Sequence, residues 1–579
     1  MLYDKVIQEN IELSEPEEEI IHLEEFQRLK HIKQNGFSYI RYPDAKNNRF
    51  DHSVGTVYWV DKLYTAAFSR RKRTRRGKDE LKALRLAALI HDIGHGPFSH
   101  AMELLFDRNP VLWSLRPWSM LKKKFGNKRP HELLTLSFAQ SEAFKELVSR
   151  NPRVEVNKIL DRKTPLSLLI SGDLDADRLD YLTRDSQYSG LPFGFNVKAI
   201  FNELIQQDIE IVRIDSDWSL QIDSKAVPAF EQFLMARYAH YFYIAYEPTV
   251  LLANLIFTSE LENCLLKRIK KPERIARAIF YIFTKLTDDK MLDLDFTNIG
   301  KAERKLLDRI KNESTSRAFK SLRKSKLDRK SDFLRLSYLG KKMTYNFFKA
   351  RASNINELEK MMSEKLDQPV QIQLCLPQAL TTKTCVWDED IREKYLPSFL
   401  YDYSPVVRAL EQKMYFDCGV LISSTEPISR DMLVSRFGMV ARSKTDFDMY
   451  TYGLINYIRR VKEFFPKDEQ KWKLRRSSVF EFLHSFIEFF LREGRITVEI
   501  DFVLPWYSEE IYELLQKLEF LDVLDEDFNL SGDGGFIPCY VYDLGEYAEE
   551  ILKSLMLTGE EKHDVEMFVE EYIRRDEKP

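Results

Sequence analysis

In the first half of the chain, apolar residues recur at the three- and four-residue spacing of helices that pack one face on a core. Leu81–Asp92, Leu168–Arg184 and Ala229–Tyr246 keep this spacing and contain little Gly or Pro, which predicts three helices. Breaks are predicted where Gly and Pro punctuate the pattern, at 42–44, 94–97, 129–130 and 190–194. We therefore predict a mainly helical first half.

The pattern changes in the second half, where short apolar runs alternate with helical segments such as Val479–Leu491. Runs rich in β-branched residues predict strands, and these runs are Val370–Leu376, Gly419–Ser423, Ile496–Val503 and Phe536–Val541. The predicted fold class is mainly α. We expect an all-helical domain over residues 1–270, a basic helical segment over 271–365 and an α+β domain over 366–579.

The charge of the chain is nearly balanced but unevenly distributed. Its 579 residues carry 88 Lys and Arg against 91 Asp and Glu, a formal charge of −3. This balance argues against a protein that coats nucleic acid, because such proteins carry a large basic excess. Basic residues nevertheless gather at 70–78 and at 301–330. Each segment is either a solvated surface or a contact for nucleic acid or a nucleotide, and both readings stay open.

Cysteine usage and hydropathy indicate the compartment. The five cysteines are far apart and form no C-x-x-C pair, which is typical of reduced thiols rather than of disulfides or a zinc ribbon. The N-terminus is acidic where a signal peptide would be basic. The most apolar stretches are far shorter than the roughly 20 residues of a membrane span. We expect a soluble cytoplasmic protein without membrane contact.

Histidine is scarce, and its placement indicates a metal site. The chain has ten histidines. His91 shares a helical face with Leu84 and Ala88, which should be buried. A buried His-Asp pair is costly unless something satisfies both side chains, and a divalent metal would do so. Asp177, Tyr181, Arg184 and Asp185 also share one helical face, which is either solvated or the wall of an active site.

Three segments together resemble a known superfamily. Asn48–Thr56 (NRFDHSVGT), Leu89–His100 (LIHDIGHGPFSH) and Gly172–Asp185 (GDLDADRLDYLTRD) resemble, in order, the core motifs of the HD-domain phosphohydrolases. More narrowly, they resemble the branch of deoxynucleoside triphosphate (dNTP) triphosphohydrolases. The resemblance runs from about Phe26 to about Tyr246 and implies that residues 1–270 form an all-helical HD domain.

The resemblance implies a metal centre and a set of catalytic side chains. Its metal ligands fall on His52, His91, Asp92 and Asp177, and this mixed donor set suits Mn, Fe, Mg or Zn without choosing among them. The catalytic residues that it implies are His95, His100, His131 and Glu103. His100 would be the general acid for the leaving oxygen, and Glu103 would pair with His131.

The resemblance also implies substrate contacts. Phosphate contacts fall on Arg49, Arg178, Tyr181 and Arg237, while the pair that reads the deoxyribose 3′-OH falls on Gln34 and Asp185. Two positions depart from the pattern: Asn35 stands where the family has Leu, and Ala245 stands where it has a Tyr that stacks on the sugar. Tyr241 and Tyr246 are the candidate replacements for that Tyr.

The implied function is hydrolysis of a dNTP to a deoxynucleoside and inorganic triphosphate, with an activating nucleotide and a homo-oligomer as further expectations. Two alternatives remain. One is an HD phosphohydrolase or nuclease that acts on another phosphoester, such as nucleic-acid ends or a signalling nucleotide. The other is a nucleotide- or nucleic-acid-binding regulator with a vestigial site, although all four ligand types are intact.

Overall fold

The structure is a computed structural model, and its described part is continuous over most of the first 325 residues. It describes residues 1–68, 73–148, 150–191, 193, 209–214, 217–297, 300–325, 327, 330–335, 355–375, 384–387, 398–400, 404–416, 419–424, 426, 446–464, 474–475, 482–483, 485–486, 489–490, 524–529, 539–544, 557 and 559–576. The chain forms two compact units, one of residues 1–333, 351–360 and 368–427, the other of 334–350, 361–367 and 428–579. The predicted domain boundaries stay a prediction.

Helices dominate the first unit. In chain order they are α1 Glu15–His22, α2 Glu24–Gln27, α3 Arg49–Ala67, α4 Arg75–Ile90, α5 His100–Arg108, α6 Trp118–Phe125, α7 Pro130–Phe138, α8 Glu142–Leu147, α9 Arg150–Leu160, α10 Leu168–Ser171, α11 Ala176–Ser189, α12 Val227–His240, α13 Pro248–Arg268, α14 Pro272–Lys285, α15 Asp288–Leu292, α16 Lys301–Leu307, α17 Glu313–Arg323 and α19 Pro405–Phe416. The helix α18 Ile355–Leu366 precedes α19, and its residues are divided between the first unit (355–360) and the second (361–366). The second unit contains α20 Asp446–Phe464 and α21 Gly559–Asp576.

Side-chain caps determine where the helices that carry the site begin. Asn48 accepts a hydrogen bond from the backbone N–H of Asp51 at the start of α3, at 2.8 Å. Asp175 does the same for α11, where the N–H of Arg178 donates at 2.7 Å. Such caps satisfy backbone donors that the first helical turn leaves unpaired.

Two of the three predicted helices are confirmed, whereas the third is divided into two helices. Leu81–Asp92 falls on α4, which ends at Ile90, and Ala229–Tyr246 falls on α12 and the π-helical turn Tyr241–Ala245. Leu168–Arg184 is not one helix, because α10 ends at Ser171 and α11 begins at Ala176. The apolar spacing continues across the break, but the cap at Asp175 starts a new helix.

The core of the site region lies where α3 packs on α4 and α11. Val57, Val60, Leu84, Ala88 and Leu179 are fully buried there. Burial of such side chains stabilises the fold by roughly 1.5–3 kcal/mol for each large aliphatic residue. The three helices that carry the predicted ligands are therefore fixed to one another by apolar packing.

Strands appear in both halves of the chain. They are β1 Leu2–Asp4, β2 Glu9–Ile11, β3 Ile209–Ile214, β4 Asp217–Asp223, β5 Lys330–Arg335, β6 Val370–Cys375, β7 Cys385–Trp387, β8 Ser398–Phe399, β9 Gly419–Ser424, β10 Leu474–Arg475, β11 Leu524–Asn529 and β12 Cys539–Leu544. The hydrogen-bonded orders are β1-β2, β3-β4-β7-β8, β5-β9-β6 and β10-β12-β11. The β1-β2 and β3-β4 hairpins were not predicted. Both lie outside residues 49–185, in which every described secondary-structure element is a helix.

The predicted strands at Val370–Leu376 and Gly419–Ser423 are confirmed by β6 and β9, which pair antiparallel with Val370 opposite Ser424. The strand predicted at Phe536–Val541 overlaps β12, and its first three residues lie outside the described ones. Ile496–Val503 lies outside them entirely. Within Val479–Leu491 the described residues are helical.

The basic segment 301–330 is built on two amphipathic helices, α16 and α17. Its apolar positions are buried, and they are Leu306, Leu307, Ile310, Phe319 and Leu322. Of the segment 70–78, residues 70–72 lie outside the described part, whereas residues 75–78 form the first turn of α4. Pro248–Leu266 is long and apolar enough to cross a membrane by length and composition, but 67% of its most apolar window is buried inside the protein, as in a core helix.

Candidate active site and metal centre

The four predicted metal ligands meet at one point in the first unit. His52 lies on α3, His91 and Asp92 follow α4 directly, and Asp177 lies on α11. The Nε2 atom of His52 is 3.1 Å from Asp177 Oδ1 and 3.4 Å from Asp92 Oδ2. The Nε2 atom of His91 is 3.4 Å from Asp92 Oδ1 and 3.8 Å from Asp177 Oδ1. Two imidazoles and two carboxylates thus converge.

The donor atoms of this group fit a metal ion. The Nε2 atoms of both histidines are buried and have no hydrogen-bond partner among the described residues. Their Nδ1 atoms are engaged, that of His52 with Asp180 at 2.8 Å and that of His91 with the carbonyl of Ala88 at 2.6 Å. A carbonyl or carboxylate at Nδ1 sets the tautomer whose Nε2 lone pair is available to a metal. His52, His91 and Asp177 offer ligand atoms within 4.8 Å of one another.

The electrostatics of this group favour a bound cation. Burial by itself would lower the pKa of His52, but the neighbouring carboxylates of Asp177, Asp180 and Asp92 raise it to about 10. Burial would raise the pKa of Asp177, but His52 and His91 hold it below its usual range. A metal that binds there competes with protons for the same ligand atoms.

Residues outside the recognised motifs hold the turn that carries His91 and His95. The guanidinium of Arg28 donates to the carbonyl of Ile93 at 3.2 Å and to that of His95 at 2.8 Å. The hydroxyl of Thr135 donates to the carbonyl of His91 at 2.9 Å and accepts from the N–H of Gly94 at 3.2 Å. No motif identified Arg28 or Thr135, because their role depends on contacts between distant segments.

The backbone just before His100 is in a strained conformation. Phe98 and Ser99 have positive φ angles of 57° and 53°, which non-glycine residues rarely adopt. Asp288 accepts from the N–H of Phe98 at 2.7 Å, and Ser99 donates its hydroxyl to the carbonyl of Lys33 at 2.7 Å. These contacts hold the turn and thereby direct His100 at the start of α5.

The predicted catalytic histidines form a second group beside the first. The His95 and His131 rings stack with centroids 3.9 Å apart, and the His95 and His100 rings lie 5.0 Å apart. Glu103 bonds both neighbours: its Oε2 is 2.8 Å from His100 Nδ1, and its Oε1 contacts His131 Nδ1. The predicted pairing of Glu103 with His131 is thus present in the structure.

The charge of Glu103 is stabilised within this group. Burial would raise its pKa, but the charge of His131 and the hydrogen bonds from His100 and His131 lower the pKa well below its usual range. The pKa of His95 lies well below its usual value, mainly because the ring is buried and also because the charges of Arg49 and His131 are close. The group therefore contains an anionic carboxylate and at least one neutral imidazole. The side chain of His100 is 57% exposed, so it can reach a bound molecule.

The two residues predicted to read the sugar are both buried, but they differ in their contacts. The carboxylate of Asp185 accepts from Asn47 Nδ2 at 2.8 Å and contacts His240 Nε2 at 2.7 Å. Gln34 is 6% exposed, and in the described part of the chain its Oε1 has no hydrogen-bond partner. Neither Asn47 nor His240 was predicted as a site residue, although a histidine in a chain with only ten was a usable signal.

The three predicted arginines are engaged with other residues of the protein. Arg49 pairs with Asp92, donates to Ser99 at 2.9 Å and donates to the carbonyl of Gln34. Arg178 bends back on the start of its own helix, where it contacts Asp175 and the carbonyl of Gly172. The Arg237 guanidinium lies 5.9 Å from the centre of the Tyr241 ring. Their phosphate-binding roles stay predictions.

A π-helical turn lies next to the position where the resemblance implies a sugar-stacking Tyr. The helix that carries Arg237 continues as the π-helix Tyr241–Ala245, in which the N–H of Tyr246 donates to the carbonyl of Tyr241 at 2.9 Å. A π-turn adds one residue to an α-helix. Because of this extra residue, the position nine residues after Arg237 lies on the helix face that the eighth position would have in a regular α-helix. This position is Tyr246, whereas the eighth is Ala245. The Tyr246 ring lies 5.9 Å from that of Tyr241.

A polar cavity of about 120 Å³ opens onto the metal-ligand group. Its lining includes the ligands His91, Asp92 and Asp177, together with His131 and Ser167. The hydroxyl of Ser167 is buried and has no hydrogen-bond partner among the described residues. The cavity is large enough for several water molecules, so water has a place beside the ligands.

Comparisons with known proteins agree with this geometry. Residues 49–185 match the HD domain family. An uncharacterized protein of Methanocaldococcus jannaschii is 26% identical over 552 residues, 94% of this chain and 98% of that protein. The human deoxynucleoside triphosphate triphosphohydrolase SAMHD1 is 30% identical over 213 residues, but these are 33% of this chain and 34% of that protein.

A solved structure shares the fold. The crystal structure of a phosphohydrolase from Bacteroides thetaiotaomicron superposes with a TM-score of 0.51 at 22% identity, covering 73% of this chain and 99% of that one. The helices that hold His52, His91, Asp92 and Asp177 thus define an HD domain, the domain of metal-dependent phosphohydrolases. Residues 49–185 thus carry the domain that this family shares.

Proposed function

We propose that the protein is a metal-dependent dNTP triphosphohydrolase that cleaves a dNTP to the deoxynucleoside and inorganic triphosphate. The observation that carries this proposal is the position of Asp185. It lies on the same helix as the ligand Asp177, and its side chain is fully buried and held by Asn47 and His240. A fixed carboxylate is a good acceptor for the sugar 3′-OH, and it would orient a nucleotide relative to the metal centre.

The chemistry follows from the two histidine groups. A divalent ion held by His52, His91, Asp92 and Asp177 would supply Lewis-acid activation of the α-phosphate and of the attacking water. Water attacks the α-phosphorus, the bond between this phosphorus and the 5′-oxygen breaks, and His100 gives its proton to that oxygen. Glu103 engages Nδ1 of His100, so Nε2 is the nitrogen left to face the leaving group. His100 would have to be the imidazolium, protonated on both nitrogens, to donate from Nε2.

Side chains around the substrate would complete the site. Arg178 and Arg237 are the nearest candidates for the β- and γ-phosphates, because a guanidinium pairs well with phosphate oxygens. Arg178 would exchange its contact with Asp175 for the substrate. Tyr246 would pack on the sugar face, since the π-turn gives it the place that Ala245 cannot fill.

The test is a panel of the four dNTPs with Mn²⁺ or Mg²⁺, each alone and in mixtures, with the products separated by chromatography. We expect deoxynucleoside and triphosphate in equal amounts, and Asp185→Asn should reduce the preference for dNTPs over NTPs more than it reduces metal binding. A panel without nucleoside product in every combination contradicts the proposal. Hydrolysis of nucleic-acid ends or of a signalling nucleotide in its place would support the alternative phosphoester.

Further parts of the proposal follow the similarity to the dNTPases. They are activation by a nucleotide, a homo-oligomeric state, a cytoplasmic location and contact of the basic segments with nucleic acid. The mixtures in the panel test activation, and light scattering of the purified protein tests the assembly.

A further inference from the structure

A line of buried polar contacts leads away from the ligand His52. Its Nδ1 atom lies 2.8 Å from Oδ2 of Asp180, and both side chains are fully buried. An ionised carboxylate only accepts hydrogen bonds, so Nδ1 of His52 is the donor. Asp180 therefore orients the ring so that Nε2 of His52 faces Asp177 and is the nitrogen left for a metal.

Arg184 keeps Asp180 in this role. Its Nε donates to Asp180 Oδ2 at 2.6 Å, and its Nη2 donates to Oδ1 at 3.0 Å. This fork holds the plane of the carboxylate and compensates its charge in the interior. The side chain of Arg184 is 2% exposed, so water does not compete for these contacts.

The guanidinium of Arg184 continues to the N-terminal hairpin. Its Nη2 also contacts Oδ2 of Asp4, the last residue of β1. The other oxygen of Asp4 accepts from the N–H groups of Val6 and Ile7 at 2.9 Å each, within the turn that leads to β2. Oδ1 of Asp4 thus shapes the turn and has a long contact with Nη1 of Arg184 at 3.5 Å, while Oδ2 makes the closer contact with Nη2.

The packing leaves no space for a different arrangement. Gly55 lies on α3 one turn beyond His52, and a Cβ atom there would be 1.9 Å from Asp180 Oδ1 and 2.2 Å from Arg184 Nη2. Ile7 is fully buried and Ile11 is 3% exposed, so the hairpin itself is anchored in the core. A movement of the hairpin would therefore act on Arg184 rather than be absorbed by loose packing.

We propose that the N-terminal hairpin, residues 2–11, is a positioning element of the metal centre, acting through Asp4, Arg184 and Asp180 on the imidazole of His52. Asp4 and Asp180 are positioning residues and touch neither metal nor substrate. The inference rests on the metal-binding part of the proposed function, but it does not depend on which phosphoester is cleaved.

The test measures Mn²⁺ binding to the full-length protein without nucleotide. The electron paramagnetic resonance signal of free Mn²⁺ reports how much of the ion stays unbound. We expect Asp180→Asn to raise the Kd by about 10–100-fold, the usual effect of losing a partner of a metal-bound histidine. Asp4→Asn should raise it by about 3–10-fold, since it acts through one more residue. The double variant should bind no more weakly than Asp180→Asn alone.

Glu17→Gln is the matched control. Glu17 is also a buried acid near the N-terminus bound to an arginine, with Arg85 Nη2 at 2.8 Å, but it is outside the line of contacts. The proposal is overturned if Asp4→Asn leaves the Kd for Mn²⁺ unchanged. It is also overturned if Glu17→Gln raises this Kd as much as Asp4→Asn does. If Asp180→Asn does not fold, Gly55→Ala replaces it and should weaken Mn²⁺ binding with all four ligands intact. Because Mn²⁺ binding is measured without nucleotide, these Kd values test the role of the hairpin even if no dNTP is hydrolysed.

Discussion

Two groups of histidines and acids lie side by side in this protein, and they are satisfied in different ways. In the metal-ligand group, the Nε2 atoms of His52 and His91 are buried without a hydrogen-bond partner. In the second group, Glu103 bonds the Nδ1 atoms of His100 and His131. Both groups bring at least three metal-binding side chains close together, so proximity alone does not separate them.

The difference in hydrogen bonding separates their chemistry. A buried imidazole nitrogen without a partner is costly, and a cation removes that cost in the first group. In the second group Glu103 satisfies Nδ1 of His100 and of His131, although Nδ1 of His95 has no partner among the described residues. The pair that Glu103 holds can therefore keep and transfer a proton without an ion. The same residue types therefore serve metal binding in one place and acid–base chemistry a few ångströms away.

The largest effect is expected from His91→Ala. Removal of a ligand should weaken Mn²⁺ binding by more than the about 100-fold that loss of an outer-shell partner can cause, and hydrolysis should fall with it. Metal analysis of the purified variant and a rate measurement check this. His131→Ala is the control, because it should keep its metal. Equal metal loss in both variants would remove the distinction between the groups.

A smaller effect on hydrolysis, with no effect on metal, is expected from His100→Ala. Loss of a general acid should lower kcat by about 10²–10⁴-fold, whereas the Kd for Mn²⁺ should stay that of the wild type. Parallel rate and Mn²⁺-binding measurements check this. Metal loss in His100→Ala would mean that the second group also holds an ion.

The third prediction concerns stability against acid. Because the folded protein lowers the pKa of Glu103 below its ordinary value of 4.5, its charge stabilises the fold above that pH, and the stabilisation is lost as the pH falls through the folded pKa. Glu103→Gln should lower the free energy of unfolding by roughly 1–3 kcal/mol at pH 7. Denaturant unfolding from pH 7 to pH 3 should show the two proteins converging, and a constant difference would contradict the prediction.

The smallest effect is expected from Thr135→Val, which breaks a link between the groups. Thr135 lies on α7 with His131, and its hydroxyl bonds the carbonyl of His91 and the N–H of Gly94. Loss of these bonds should lower the stability by about 1 kcal/mol and should change metal binding and kcat only slightly. Thermal unfolding measures the first effect. An unchanged Tm would show that the two groups are held independently of this link.

Much of the helical part could be predicted from the chain alone. The apolar spacing of Leu81–Asp92 is a local property, and α4 follows it closely. Leu168–Arg184 was predicted as one helix because its spacing hardly changes at Gly172, whereas the cap at Asp175 depends on side-chain geometry. The hairpin β1-β2 was missed because its strands have only three residues each. The strands β3 and β4 were also missed, although β4 pairs with β7 as well as with β3.

The sequence by itself determined the HD domain and the four ligand residue types, since helix periodicity and three ordered motifs are written in local spacing. Only the tertiary structure decided which atoms are free. That the Nε2 atoms of His52 and His91 face Asp177, and that Asp4 is linked through Arg184 to Asp180, depends on contacts between segments far apart in the chain. Such contacts follow from packing and hydrogen-bond geometry, which spacing along one chain does not encode.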